Sequence, residues 1–132
     1  KGVTLKDGND VTIIATGLMT GMALEAAKSL ENEGINARVI NIHTIKPLDR
    51  ELVINAAKQT GAVVTCEEAS IIGGLGSAVC ETLSESLPTP VIRVGVEDKF
   101  GTSGPAGEVL KKYGLCPENI VAKAKAAIAL KK

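Results

Sequence analysis

The stretch VTIIATGLMTGMALEAAKSLENEGINARVINI (Val11–Ile42) decides the architecture. It opens on Val11–Thr16, an apolar run with little polar alternation, which is the pattern of a strand covered on both faces. It closes on a second such run, Ala37–Ile42. Between them Met19, Ala23, Ala26, Ala27 and Leu30 recur at helical spacing and form one apolar stripe. Gly34 then stands where a left-handed helix cap belongs. Strand, helix and strand in succession make a βαβ unit, whose two strands run parallel through a right-handed crossover.

The same alternation extends outward. Ala62–Glu67 and Val91–Val96 are two more runs of the buried-strand type. A second helix starts at Asp49 as N-cap, turns Leu52, Val53, Ala56 and Ala57 inward, and stops at Gly61. A third carries Leu75, Val79, Leu83 and Leu87 and breaks at Pro88 and Pro90. Pro105 opens a short helix with Val109, Leu110 and Tyr113, closed by Gly114; Pro117 opens a final one with Ile120, Val121, Ala124 and Ile128 inward. At the start of the chain, Val3–Leu5 and the turn residues Asp7-Gly8-Asn9 predict a hairpin into the first long strand. The predicted fold is a three-layer α/β/α sandwich, with a mostly parallel five-stranded sheet and one antiparallel edge strand. It is read as a single domain over residues 1–132.

Composition excludes several functions. At 45% hydrophobic and 23% charged residues the chain has a globular balance, not a disordered one. Fifteen basic and fifteen acidic residues cancel, so no long-range field draws in nucleic acid or an anionic membrane. One Phe, one Tyr and no Trp rule out a base-stacking platform. Cys66, Cys80 and Cys116 are odd in number and widely spaced, which predicts free thiols in a reducing, cytoplasmic compartment. No apolar run approaches the ~20 residues of a membrane span, and no signal peptide is recognisable. The chain opens on Lys1, not Met, which leads us to expect a processed or excised piece of something longer.

In an open α/β sheet, ligands gather beyond the carboxyl ends of the strands. Gly17-Leu18, His43–Pro47, Glu67–Ser70 and Glu97-Asp98-Lys99 arrive there. Gly73-Gly74-Leu75-Gly76 precedes a helix, but its spacing is that of neither a dinucleotide fingerprint nor a P-loop. A tight turn with close helix packing is the favoured reading, ahead of a phosphate cradle. His43, Cys66, Glu67 and Glu68 lack the paired short intervals of a metal site. Glu67 and Glu68 are adjacent, so in a continuing strand they point to opposite faces; helix-dipole or interface ion-pair roles suit them better than paired acid–base work. Ser77 and Ser103 follow glycines outside any nucleophile elbow, and Cys66 reads as buried packing. The expected catalytic, cofactor-binding and metal residues are therefore none.

The order of motifs nevertheless resembles the C-terminal domain of the transketolase family. The residues that carry the resemblance are GNDVTIIATG (8–17), NIHTIKPLD (41–49), VVTCEE (63–68), GGLGSAV (73–79) and DKFGTSG (98–104). They stand in register over essentially the whole chain. The tail, GPAGEVLKKYGL (104–115) and ENIVAKAK (118–125), is most similar to transketolases; deoxyxylulose-phosphate synthases and 2-oxo-acid dehydrogenase β subunits share the domain but match this tail less. The resemblance implies a complete enzyme that moves two-carbon ketol units between sugar phosphates with thiamine diphosphate and Mg. It also implies that this domain binds neither cofactor, is inactive alone, and supports a homo-dimer beside the catalytic domains or an N-terminal subunit. The family's diphosphate motif, Gly-Asp-Gly followed by Asn, is not found here; Asp7-Gly8-Asn9 echoes it only superficially. Glu67, Glu68, Gly73, Gly74 and Gly76 are expected to shape the contact region, with Lys46, Pro47, Leu48 and Asp49 fixing the approach to the second helix. The rival readings are a partner-binding surface of the dehydrogenase type and a free-standing anion-binding module.

Overall fold

The computed structural model describes residues 1–70, 74–96 and 114–131. Five strands, β1 (Val3–Lys6), β2 (Val11–Ala15), β3 (Ala37–Asn41), β4 (Val63–Ser70) and β5 (Val91–Val96), form one sheet in the order β1-β3-β2-β4-β5. Four helices are described: α1 (Met19–Asn32), α2 (Arg50–Thr60), α3 (Leu75–Ser86) and α4 (Pro117–Ala129). β2 through β5 are parallel, and β1 is antiparallel to β3. Alternation along β2 separates the two cores. Ile13 faces α1 and α4, while Ile14 faces α2 and α3. The result is the expected three-layer sandwich.

The helix boundaries follow the sequence signals. α1 ends in a Schellman motif, with the Gly34 amide donating to Glu31 O and the Ile35 amide to Leu30 O, both at 2.9 Å; Gly34 sits at φ 80°. Asp49 caps α2 by accepting from the Leu52 amide at 3.3 Å, and its other oxygen accepts from the Gly2 amide at 3.1 Å. Gly61 closes α2 at φ 74°. Among the described residues, no helix is long and apolar enough to cross a membrane. Gly73, Ser103 and the short helix expected after Pro105 lie outside the described residues.

The expected hairpin is corrected. β1 pairs with β3 and does not touch β2, because both edges of β2 are already filled by β3 and β4. The connection instead passes over the amino end of β3. There Gly8 is buried, its carbonyl accepts from Arg38 Nε at 3.1 Å, and the Asp10 amide donates to Asn36 O at 3.0 Å. The edge strand is real; its neighbour is different.

One buried polar cluster was hidden inside an apolar run. The Thr12 and Thr60 hydroxyls are 2.8 Å apart, and Thr60 donates to Ala56 O at 2.9 Å or to Ala62 O at 3.1 Å. Satisfied this way, the pair ties the end of α2 to the central strand.

Candidate functional site

The chain leaves β2 through α1 toward β3, but reaches β5 from β4 through α3 in the opposite direction. β2 and β4 are neighbours, so the crevice between their carboxyl ends is the topological switch point of the sheet. Two helix N-termini flank it, those of α1 and α3. In this class of fold their free amides are where a ligand phosphate is held.

Here both are taken by the chain's own carboxylates. β4 runs on through Glu67 and Glu68, which therefore point to opposite faces. Glu67 is only 2% exposed; its Oε1 accepts from the Leu75 amide at 2.9 Å and its Oε2 from the Gly76 amide at 2.7 Å. Glu68 Oε1 accepts from the Leu18 amide at 2.9 Å. Neither helix has a local cap: Gly74 offers no side chain, and Leu18 precedes α1 with no acid in its first turn. The carboxylates are thus the helix-dipole partners expected of them, supplied across the sheet from one strand.

Gly76 serves packing. A Cβ on Gly76 would lie 2.7 Å from Arg93 Cδ and 3.0 Å from Thr65 Oγ1. Only a residue without a side chain lets α3 come this close to β4 and β5. The Thr65 hydroxyl is fully buried here and has no hydrogen-bond partner among the described residues. Thr65→Val keeps the shape and removes an unpaired hydroxyl, so thermal or urea unfolding should show a gain of about 1 kcal/mol; a loss would mean the hydroxyl has a partner.

Cys66, next to Glu67, is fully buried. Burial pushes its thiol well above the ordinary range, and the Glu67 charge pushes it further. The thiolate that a nucleophile requires is therefore suppressed. The same shift links stability to pH. The folded thiol stays protonated while the unfolded one ionises near pH 8.5, so its contribution is intact below that pH and declines above it. By about pH 9.5 the wild type should have lost about 1.4 kcal/mol more than Cys66→Ala relative to neutral pH. Parallel urea-midpoint profiles for the two proteins would refute this.

Lys46, Pro47 and Gly74 come together elsewhere, on the α2–α3 side. They line a groove of about 510 Å³ between the segment before α2 and the outer face of α3, with Arg50, Glu81 and Glu85 along its walls. The Lys46–Pro47 peptide is cis. Asp49 lies behind this segment as the α2 cap. His43 is exposed, with Nε2 at 3.4 Å from Asn41 Nδ2. Among the described residues no group of three His, Cys, Asp or Glu side chains could hold a metal ion. Nor does the switch point fit a diphosphate, because its amides already face carboxylates that would repel one.

Comparison with known proteins identifies the family. The family model described as "Transketolase, C-terminal domain" matches residues 1–120. The chain belongs to that family.

Among relatives, the 6-deoxy-6-sulfo-D-fructose transketolase subunit of Clostridium sp. is 52% identical over 92% of this chain and 38% of its own length. A putative transketolase C-terminal section of Methanocaldococcus jannaschii is 48% identical over 91% of this chain and 37% of its own. The 1-deoxy-D-xylulose-5-phosphate synthase of Heliobacterium modesticaldum is 45% identical over 91% of this chain and 19% of its own. The chain thus spans well under half the length of the relatives it matches. A solved structure described as a split gene transketolase, inactive beta4 tetramer, superposes with a TM-score of 0.97 at 57% identity, covering 100% of this chain and 43% of that one. The transketolase of Pichia stipitis, solved with sedoheptulose 7-phosphate, gives a TM-score of 0.71 at 26% identity, over 97% of this chain and 18% of that one.

The sequence reading missed the partners of the two glutamates, since a cap taken from a distant strand leaves no local pattern. The available signal was negative: two helices beginning without a capping side chain, at Leu18 and Gly74, beside two adjacent acids whose helix-dipole or ion-pair role had no named partner.

Proposed function

We propose that this chain is the non-catalytic C-terminal support domain of a thiamine-diphosphate-dependent transketolase, an enzyme that moves two-carbon ketol units between sugar phosphates. Thiamine diphosphate and Mg belong to its catalytic domains, or to an N-terminal subunit, and this domain braces them in a homo-dimer. The observation that carries the reading is the filled switch point. The one place where a doubly wound sheet offers amides to a phosphate is occupied by Glu67 and Glu68. Residues 1–132 act as one unit in this role. Lys46, Pro47, Asp49, Glu67, Glu68, Gly73, Gly74 and Gly76 shape its contact region. Free cysteines at 66, 80 and 116 support a reducing, cytoplasmic setting.

The transketolase-type relatives include a subunit and a C-terminal section, which favours a parent enzyme split into two chains. The relative described as a beta4 tetramer supports association between copies of this kind of chain. The synthase relative, at 45% identity, favours a second reading in which the same domain supports 1-deoxy-D-xylulose-5-phosphate formation.

A coupled assay of ketol transfer from a ketose phosphate to an aldose phosphate tests the proposal. The chain alone should give no turnover, and turnover should appear when the catalytic domains, thiamine diphosphate and Mg are added. Turnover by the chain alone, or none in the combination, would contradict it. Assaying the same combination for 1-deoxy-D-xylulose-5-phosphate formation separates the second reading from the first.

A further inference from the structure

The groove between the Lys46–Leu48 segment and α3 has two walls of opposite sign. Lys46 and Arg50 stand on one; Glu81 and Glu85, four residues apart on α3, stand on the other, and all four are exposed. No cation of one wall lies within 4.0 Å of a carboxylate of the other. The ion pairs found among the described residues, Lys6–Glu31 and Lys125–Glu33, involve none of the four. Thr82, only 3% exposed, lines the same groove, and its hydroxyl accepts from Arg50 Nη1 at 3.4 Å. That contact uses one of the five N–H groups of the guanidinium and steadies it; among the described residues the other four have no acceptor.

The placement runs against the needs of the fold. Glu81 and Glu85 are like charges at i,i+4. Glu85 lies in the last turn of α3, which carries no basic residue, and Arg50 is the first residue of α2. Each terminal charge thus has the sign that its helix dipole disfavours. Neither wall is explained by the stability of the helix that carries it, and both are explained by a ligand lying between them.

A simple anion would gain from one wall and be repelled by the other, and a simple cation likewise. A small molecule carrying both signs gains from both. Because the walls stand apart, its two charges must sit several bonds apart; an α-amino acid, with ammonium and carboxylate on one carbon, does not reach. Pro47 and Ala78 line the same groove and offer apolar surface to the methylenes between the charges. At about 510 Å³ the groove has room for such a chain. We infer that this groove is a binding site for a small zwitterion of the ω-amino acid class, its carboxylate held by Lys46 and Arg50 and its ammonium by Glu81 and Glu85. Such a site needs neither a second chain nor a cofactor, and it is separate from the support role.

Titration of the isotope-labelled chain with ε-aminocaproate, followed by amide chemical shifts, tests it. The shifts should saturate with a Kd on the order of 1 mM, as expected for a ligand of so few heavy atoms, and should centre on Arg50, Ala78, Glu81 and Glu85. Caproate and hexylamine, which carry one charge each, and glycine, which carries both on one carbon, should bind about 10-fold more weakly. Glu81→Gln with Glu85→Gln should weaken ε-aminocaproate about 10-fold and leave caproate no weaker than before. Lys46→Met should weaken ε-aminocaproate about 3-fold and leave hexylamine no weaker. All three side chains are exposed, so both variants should keep the wild-type circular dichroism. Equal affinity for the zwitterion and its singly charged analogues would overturn the inference. So would an absence of saturable shifts, shifts centred outside the groove, or variants that bind as the wild type does. The ketol-transfer assay reports on the support role separately, so either reading can fail while the other stands.

Discussion

Glu67→Ala lowers the unfolding free energy by about 3 kcal/mol, and the unfolding temperature by on the order of 10 °C. The carboxylate is 2% exposed and accepts from the amides of Leu75 and Gly76, the first two residues of α3. Truncation leaves both amides without a partner in a dry site and takes the negative charge from the positive end of the helix. Glu67→Gln tests the same point more gently. The amide keeps one acceptor but turns a donor toward an N–H, so it should recover less than half of the loss. Thermal unfolding of the three proteins reads this directly. A loss below about 1 kcal/mol for Glu67→Ala would show that α3 does not depend on a cap from β4, and the account of the switch point would fail with it.

Gly8→Ala should cost as much, for a steric reason at the other end of the sheet. A Cβ there would lie 2.5 Å from Ala37 C, 2.6 Å from Asn36 O and 2.7 Å from Ala37 O. All three are backbone atoms of the β3 start, so no side-chain rotation relieves the contact. The crossing between β1 and β2 must lift, disturbing the Arg38 Nε bond to Gly8 O and the paired bonds between Asp10 and Asn36. Overpacking against a fixed backbone costs about 3 kcal/mol, measurable by urea denaturation. A change under about 1 kcal/mol would mean that the crossing is loose. The site lies at the amino edge of the sheet, so capture of partner domains by the folded fraction should be unaffected.

Most of the fold was legible because local signals and tertiary structure agree. The apolar stripe of α1 is buried as Met19, Ala23, Ala26, Ala27 and Leu30, and Gly34 and Gly61 take the left-handed conformations their positions required. Asp49 caps α2 as its type and place predicted. What failed was pairing at a distance. Asp7-Gly8-Asn9 has the chemistry of a hairpin turn, yet whether β2 has a free edge depends on β3 and β4, which no window of a few residues contains. The caps of α1 and α3 failed to show for the same reason, since Glu68 acts 50 residues from Leu18 in sequence. The groove fell between these cases. Lys46 and Pro47 were singled out from the sequence, but Arg50, Glu81 and Glu85 look like ordinary solvated helix faces until the fold sets two walls side by side.

The central claim is that the switch point is closed by the chain's own carboxylates and that this domain supports a cofactor site without holding one. Isothermal titration of the wild-type chain with thiamine diphosphate and Mg tests that claim most directly. The account predicts no saturable heat, with a complete thiamine-diphosphate enzyme as the positive control in the same buffer. Saturable binding to this chain would contradict it, because a diphosphate could then be held only where Glu67 and Glu68 yield their amides or at a site this reading does not contain.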